Sequence, residues 1–236
     1  MKVTERDLRL LNWIGEQFIV NVRELADVIQ FDRQKYGLAP IGKHFLRDTI
    51  HRWKHEGLVR TAYQLRRGSH VFLTAQGIRA TNLPFSPRTP GFSDVAHLTH
   101  HDGVNKVRLH LERETYQNRQ VIQWISERAL MQHEKLVAQT HPHAPKTHRP
   151  DGVMIMGENI IAIEVEKAYK RPSKLKTILQ GYLYTTQYTQ TRYYCETPAI
   201  QQSIQRTINT LLDDLPAPQQ TQLRDKVVAL TFEHVP

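Results

Sequence analysis

The chain has 236 residues, of which 39% are apolar and 23% charged, enough for one large domain or two small ones. Lys and Arg number 32 against 23 Asp and Glu, so the formal charge is +9, and a polyanion is the natural partner. No apolar run reaches membrane-spanning length, no Gly-rich phosphate loop points to a nucleotide cofactor, and the single cysteine, Cys195, excludes an internal disulfide and a cysteine-based zinc site. The N-terminus has acidic residues and a helical period, unlike a secretion signal, which leaves a reducing cytoplasm as the simplest compartment.

Leu8, Leu11, Ile14 and Phe18 recur at helical spacing, with Thr4 as N-cap and Asp7 at the capping-box distance. A short second helix is expected from Val22 to Ile29. The run Tyr36-Gly37-Leu38-Ala39-Pro40 breaks the pattern. A third helix is expected from Ile41 to His55, with Leu46, Ile50 and Trp53 inward. Its other faces carry Lys43, His44, Arg47, His51, Arg52, Lys54 and His55. Beyond Gly57 the period turns extended: residues 58–63 and 70–73 read as two strands around an Arg66-Arg67-Gly68-Ser69 tip. Thr74 then caps a last short helix. Three helices and a basic-tipped hairpin in this order resemble a winged helix-turn-helix. That resemblance implies a third helix in the major groove and a wing on the phosphate backbone. A plain solvated helix face, or a protein-docking use of the same module, is the alternative.

Pro84, Pro87 and Pro90 mark a linker over 83–95. A helix follows to about Arg113, then a strand over 120–125 and a short helix or loop. Residues 139–150 read as a loop on composition. Asp151–Met156 and Ile160–Lys167 form a hairpin around Gly157-Glu158-Asn159. A helix from Pro172 to Tyr188, a strand at Arg192–Cys195, a helix from Pro198 to Leu212 and a strand at Val227–Phe232 complete a mixed pattern. The expected fold class is α+β passing into α/β, with a hairpin near the centre of the second domain.

Residues two apart on a strand share a face. Ile161, Ile163 and Val165 therefore form one face, and Ala162, Glu164 and Glu166 the other. The hairpin brings Asp151 towards Glu164, and two carboxylates of this kind suit Mg²⁺ or Mn²⁺. Such an ion activates a water and offsets charge on a scissile phosphate.

Pro150-Asp151 and Glu164-x-Glu166 resemble the PD-(D/E)xK (restriction-endonuclease-like) superfamily, with Glu166 where the motif lysine is expected. Some restriction enzymes of that superfamily carry Glu there. The resemblance implies Asp151 and Glu164 as metal ligands, with the Val165 carbonyl as a third. Glu166, Lys167 or one of Lys170, Lys174 and Lys176 would act on the attacking water. Lys167 falls on the opposite face of an ideal strand and would need a bulge to join them. Gln180 and Tyr184, four apart on one helix, resemble the QxxxY motif of the exonuclease-like branch, and Glu127 matches an acid on the first core element. A surface hairpin with solvated acids, and a helix whose tyrosines pack, is the bland alternative.

The chain also resembles the replication-relaxation proteins of plasmids and integrative elements. The pieces are Leu73-Thr74-x-x-Gly77, His101-Asp102-Gly103-Val104-Asn105-x-Val107-Arg108, Trp124-Ile125-Ser126-Glu127, Pro150-Asp151-Gly152 and Glu164-Val165-Glu166. This implies residues 1–82 as DNA-binding domain and 96–236 as nuclease-like domain, with double-stranded DNA as partner in plasmid replication or transfer. Cutting both strands would call for a homodimer. The alternative is an inactive nuclease fold serving as a DNA-binding regulator.

Other groupings carry less. His97, His100 and His101, or His141, His143 and His148, are candidate metal clusters without a supporting cysteine. His141-Pro142-His143 with Tyr182, Tyr184, Tyr193 or Tyr194 as nucleophile would suit a tyrosine relaxase, but it sits in a proline-broken loop. His148 and Arg149 precede Asp151, where they would either touch phosphate or simply carry loop charge. Cys195 in a strand reads as packing.

Overall fold

The computed structural model describes residues 3–65, 67–87, 95–140 and 148–232, with the backbone alone over 136–140. It is mixed α and β, in two compact units, Met1–Leu109 and His110–Pro236.

The first unit runs α1 (Glu5–Gln17), β1 (Val20–Asn21), α2 (Val22–Lys35), α3 (Phe45–His55), β2 (Val59–Gln64), β3 (Gly68–Leu73), α4 (Ala75–Thr81) and the first part of α5 (Val95–Gln117). Its antiparallel sheet has the order β1-β3-β2. The Thr4–Asp7 capping box forms as the spacing predicts. The buried stripe of α1 is wider than the expected one: Leu10, Leu11, Trp13 and Ile14 are buried, while Leu8 and Phe18 are only half-buried. Helix α2 continues past Ile29 because Phe31 is buried and Asp32 is paired with Arg9, at 2.9 Å. Helix α3 begins at Phe45, so Lys43 and His44 precede its first turn, and the sequence-based start at Ile41 is too early.

The motif around Asp102 belongs to this first unit. Buried His70 in β3 meets Asp102 at 3.2 Å. Asn105 donates to the Ile19 carbonyl at 3.0 Å and to Glu24 at 3.3 Å. Arg108 pairs with Glu16 at 2.8 Å and its guanidinium lies 4.8 Å from the Trp13 ring centroid. The sequence reading places these residues in the second domain. The partners just named instead lie before residue 83, and the unit boundary falls inside α5.

The second unit adds β4 (Gln123–Ser126), α6 (Glu127–Thr140), β5 (Gly152–Met156), β6 (Asn159–Glu166), α7 (Pro172–Tyr184), β7 (Gln190–Cys195), α8 (Pro198–Asp213), α9 (Ala217–Leu223) and β8 (Val227–Thr231). The sheet order is β4-β5-β6-β7-β8: β4, β5 and β6 are an antiparallel meander, and β7 and β8 join in parallel through helical crossovers. One face is covered by α7 and α8, with Ala162, Leu179, Tyr182, Tyr193, Cys195, Ile204 and Ile208 in a common core. Among the described residues no helix is long and apolar enough to cross a membrane.

Candidate functional site

The β5–β6 hairpin turns at Gly157-Glu158, with Gly157 at φ 58°, and pairs Met156 with Asn159. Counting back along the ladder, Gly152 pairs with Ile163, and one further step sets Asp151 across from Glu164. Residues opposite one another on antiparallel strands project to the same side, about 5 Å apart at Cβ. The Asp151 carboxylate accepts the Val165 amide at 2.7 Å, which orients it across the strand end.

Glu164 is buried, at 3% exposure. Its Oε1 accepts the Tyr182 hydroxyl at 2.5 Å and lies 3.0 Å from His148 Nε2. The His148 ring stands edge-on to Tyr182, at 5.8 Å between centroids. Burial pushes the Glu164 carboxyl above its ordinary range. The Asp151 charge pushes the same way, and the His148 and Tyr182 contacts only partly oppose both. The site therefore holds two acids that repel one another beneath a helix, where a cation is worth more than in water.

Glu166 is also buried, and its carboxylate pairs with Lys170 in the loop before α7. Lys167 takes another course: its ammonium pairs with Glu196 and lies 4.6 Å from the Phe232 ring centroid. Strand β6 ends at Glu166, without a bulge that would turn Lys167 towards the acids, so Lys170 is the lysine joined to the Glu164-x-Glu166 motif. Glu127 opens α6. Its amide donates to the Asp151 carbonyl at 3.3 Å and its carboxylate pairs with Arg149 at 3.2 Å, while Arg149 also clamps Glu134 at 2.7 Å.

Helix α7 brings a different tyrosine to the acids from the expected one. Residues two apart on a helix are separated by about 200°, so Tyr182 and Tyr184 face opposite sides. Tyr182 is buried against Glu164, whereas Gln180 and Tyr184 face solvent. A helix whose buried stripe is Leu175, Ile178, Leu179, Tyr182 and Leu183 must turn Gln180 and Tyr184 outward. That apolar stripe was the available signal for Tyr182.

Gly152 is explained by close approach. A Cβ there would lie 2.3 Å from Trp124 Cζ2, so the ring closes over the strand beside Asp151 only because the residue is glycine. Burial, with the Glu164 charge as the next cause, raises the Tyr182 and Tyr193 hydroxyls well above the ordinary phenol range, which disfavours either as a nucleophile. Burial pushes the Cys195 thiol up to about 12, as a packing residue. His141 and His143 lie outside the described residues. His97 and His101 rings stack edge to face at 4.5 Å. Among the described residues no group of three or more His, Cys, Asp or Glu side chains could hold a metal ion.

In the first unit, Lys43, His44, Arg47, His51 and Lys54 are exposed on and before α3, and Arg67 is exposed at the hairpin tip. Arg66 lies outside the described residues. Arg52, counted among the duplex contacts, is structural: its guanidinium grips Asp7 at 2.8 and 2.6 Å, beside the Trp53 indole N–H at 3.0 Å from the same carboxylate. Comparison with protein-family models, with curated proteins and with solved structures returned no match.

Proposed function

We propose that the chain is a duplex-DNA-binding protein of a mobile genetic element, acting in plasmid replication or transfer, whose second unit cuts DNA backbone with Mg²⁺ or Mn²⁺. The first unit is read as a winged helix-turn-helix and the second as a PD-(D/E)xK-like fold. The observation that carries the reading is Asp151 set across from Glu164 at the open end of the β5–β6 hairpin, where burial first and the Asp151 charge second raise the Glu164 carboxyl. A divalent cation relieves that repulsion, and hard carboxylate oxygens are its preferred donors. Asp151 and Glu164 would hold it, with the Val165 carbonyl as a third oxygen. When bound, it would supply charge neutralisation at the phosphate and a more acidic water.

The remaining roles fall to the chain's own residues. Glu166, paired with Lys170, would accept a proton from the attacking water or orient it. His148, exposed and 3.0 Å from Glu164, would meet a phosphate oxygen. Gln180 and Tyr184 on the outer side of α7 face solvent, where a backbone phosphate can reach them. Lys43, His44, Arg47, His51, Lys54 and Arg67 supply the phosphate contacts that fix a duplex. Two copies would be needed to cut both strands.

A second reading, a DNA-binding regulator without catalysis, is favoured by one observation: Lys167 is engaged by Glu196. Glu164→Ala separates the two. In the nuclease reading the variant binds duplex as the wild type does and loses cutting. In the regulator reading neither protein cuts in Mg²⁺ or Mn²⁺, and both bind with a steep salt dependence. Absence of salt-dependent DNA binding would contradict both and leave a protein-docking module.

A further inference from the structure

The hairpin of β2 and β3 carries an exposed apolar tip on a braced support. Leu65, just past the end of β2, is 83% exposed and Tyr63, two residues earlier, is 67% exposed. A large aliphatic side chain so far into water has no packing role in this unit. Both sit between basic residues, with Arg60 and Arg67 exposed on the same hairpin.

The described residues beside the tip are hydrogen-bonded. The Arg67 amide donates to the Gln64 carbonyl at 3.0 Å, and Gly68 takes φ 78°, closing a short turn. The Asn21 side chain donates to the Arg67 carbonyl at 2.8 Å while its other atom caps α2 through the Arg23 amide at 2.9 Å. Two residues into β3 from Gly68, buried His70 lies 3.2 Å from Asp102. A polar wing tip would suffice for backbone contact alone. An exposed, cation-flanked leucine fits a different task, since proteins that kink duplex DNA insert apolar side chains between base steps from the minor groove.

We propose that the hairpin tip is a minor-groove wedge: Leu65 enters a base step and kinks the duplex, with Tyr63 against the groove wall and Arg67 on the flanking phosphates. The proposal rests on the DNA-binding reading above and adds to it a groove, a residue and a distortion. The strained step costs least at pyrimidine–purine sequences such as TA.

The test is end-to-end energy transfer on a short dye-labelled duplex carrying TA steps, with binding followed in parallel by anisotropy on the full chain. Wild type is expected to bind and to raise the transfer. Leu65→Ala should still bind and lose the rise, and Leu65→Phe should restore it. Arg67→Ala should lower the slope of log affinity against log salt by about 1, with the kink preserved in the bound fraction. The exposed position makes the leucine variants neutral to folding. Binding without any rise in transfer, or a Leu65→Ala variant that bends as the wild type does, overturns the wedge and leaves DNA binding standing. Failure of the wild type to bind duplex even at low salt overturns both.

Discussion

Asp7 shows how far one buried carboxylate organises the first unit. It closes the capping box of α1 and takes the Arg52 guanidinium and the Trp53 indole N–H from α3. Burial alone would raise this carboxyl, but the hydrogen bonds from Arg52, Thr4 and Trp53 outweigh it and hold the group well below the carboxylate range. A depressed folded value adds stability above the unfolded value near 3.8, and that stability is lost as pH falls through the folded value. Asp7→Asn should therefore cost about 3 kcal/mol in urea unfolding at neutral pH, with the gap to wild type closing below about pH 4. Glu24 runs the other way. Burial, then the Asp102 charge, lifts it to about 8, against the Asn105 hydrogen bond. A raised folded value gives stability that is complete below 4.5 and lost as pH rises through about 8. Glu24→Gln keeps an acceptor for Asn105, so its Tm should match wild type near pH 5 and exceed it at pH 9. An equal Tm at both would contradict this account of Glu24.

At the scale of elements, a glycine sets one close contact. In Leu73-Thr74-x-x-Gly77, Thr74 caps α4, and a Cβ on Gly77 would lie 2.1 Å from the Leu58 carbonyl oxygen. Because that atom is backbone, Gly77→Ala should destabilise the first unit by about 1–3 kcal/mol in thermal or urea unfolding. Much at this scale was legible. Thr4 with Asp7 announced the start of α1, and the hairpin around Gly157 was expected, but with Asn159 in the turn; Met156 instead pairs with Asn159, and that one-residue shift is what sets Asp151 across from Glu164. Other elements left no pattern to read. A two-residue strand such as β1 has no period, and α2 outran its apolar stripe because an ion pair from Arg9 to Asp32 supports its polar end. Tyr184 was chosen over Tyr182 because a four-residue spacing from Gln180 says which residues share a face, not which face is buried. Arg52 looked like a DNA contact because its partner, Asp7, lies 45 residues away in sequence.

For the whole molecule, the boundary inside α5 has a consequence. Asp102, Asn105 and Arg108 supply partners for His70, the Ile19 carbonyl, Glu24 and Glu16. A fragment ending at residue 87 strips these buried groups of their partners. It should unfold without a cooperative transition, whereas a fragment ending at Gln117 should show one by circular dichroism. Proline composition placed the boundary at the linker because contacts made by α5 are long-range and leave no local mark. The central claim, that Asp151 and Glu164 form a metal-dependent cutting site, is tested most directly on supercoiled plasmid. The protein is incubated with and without Mg²⁺ or Mn²⁺, beside Asp151→Ala. The account predicts nicked circles with wild type only when metal is present, and none with the variant. Nicking that persists in Asp151→Ala, or that needs no metal, would contradict it.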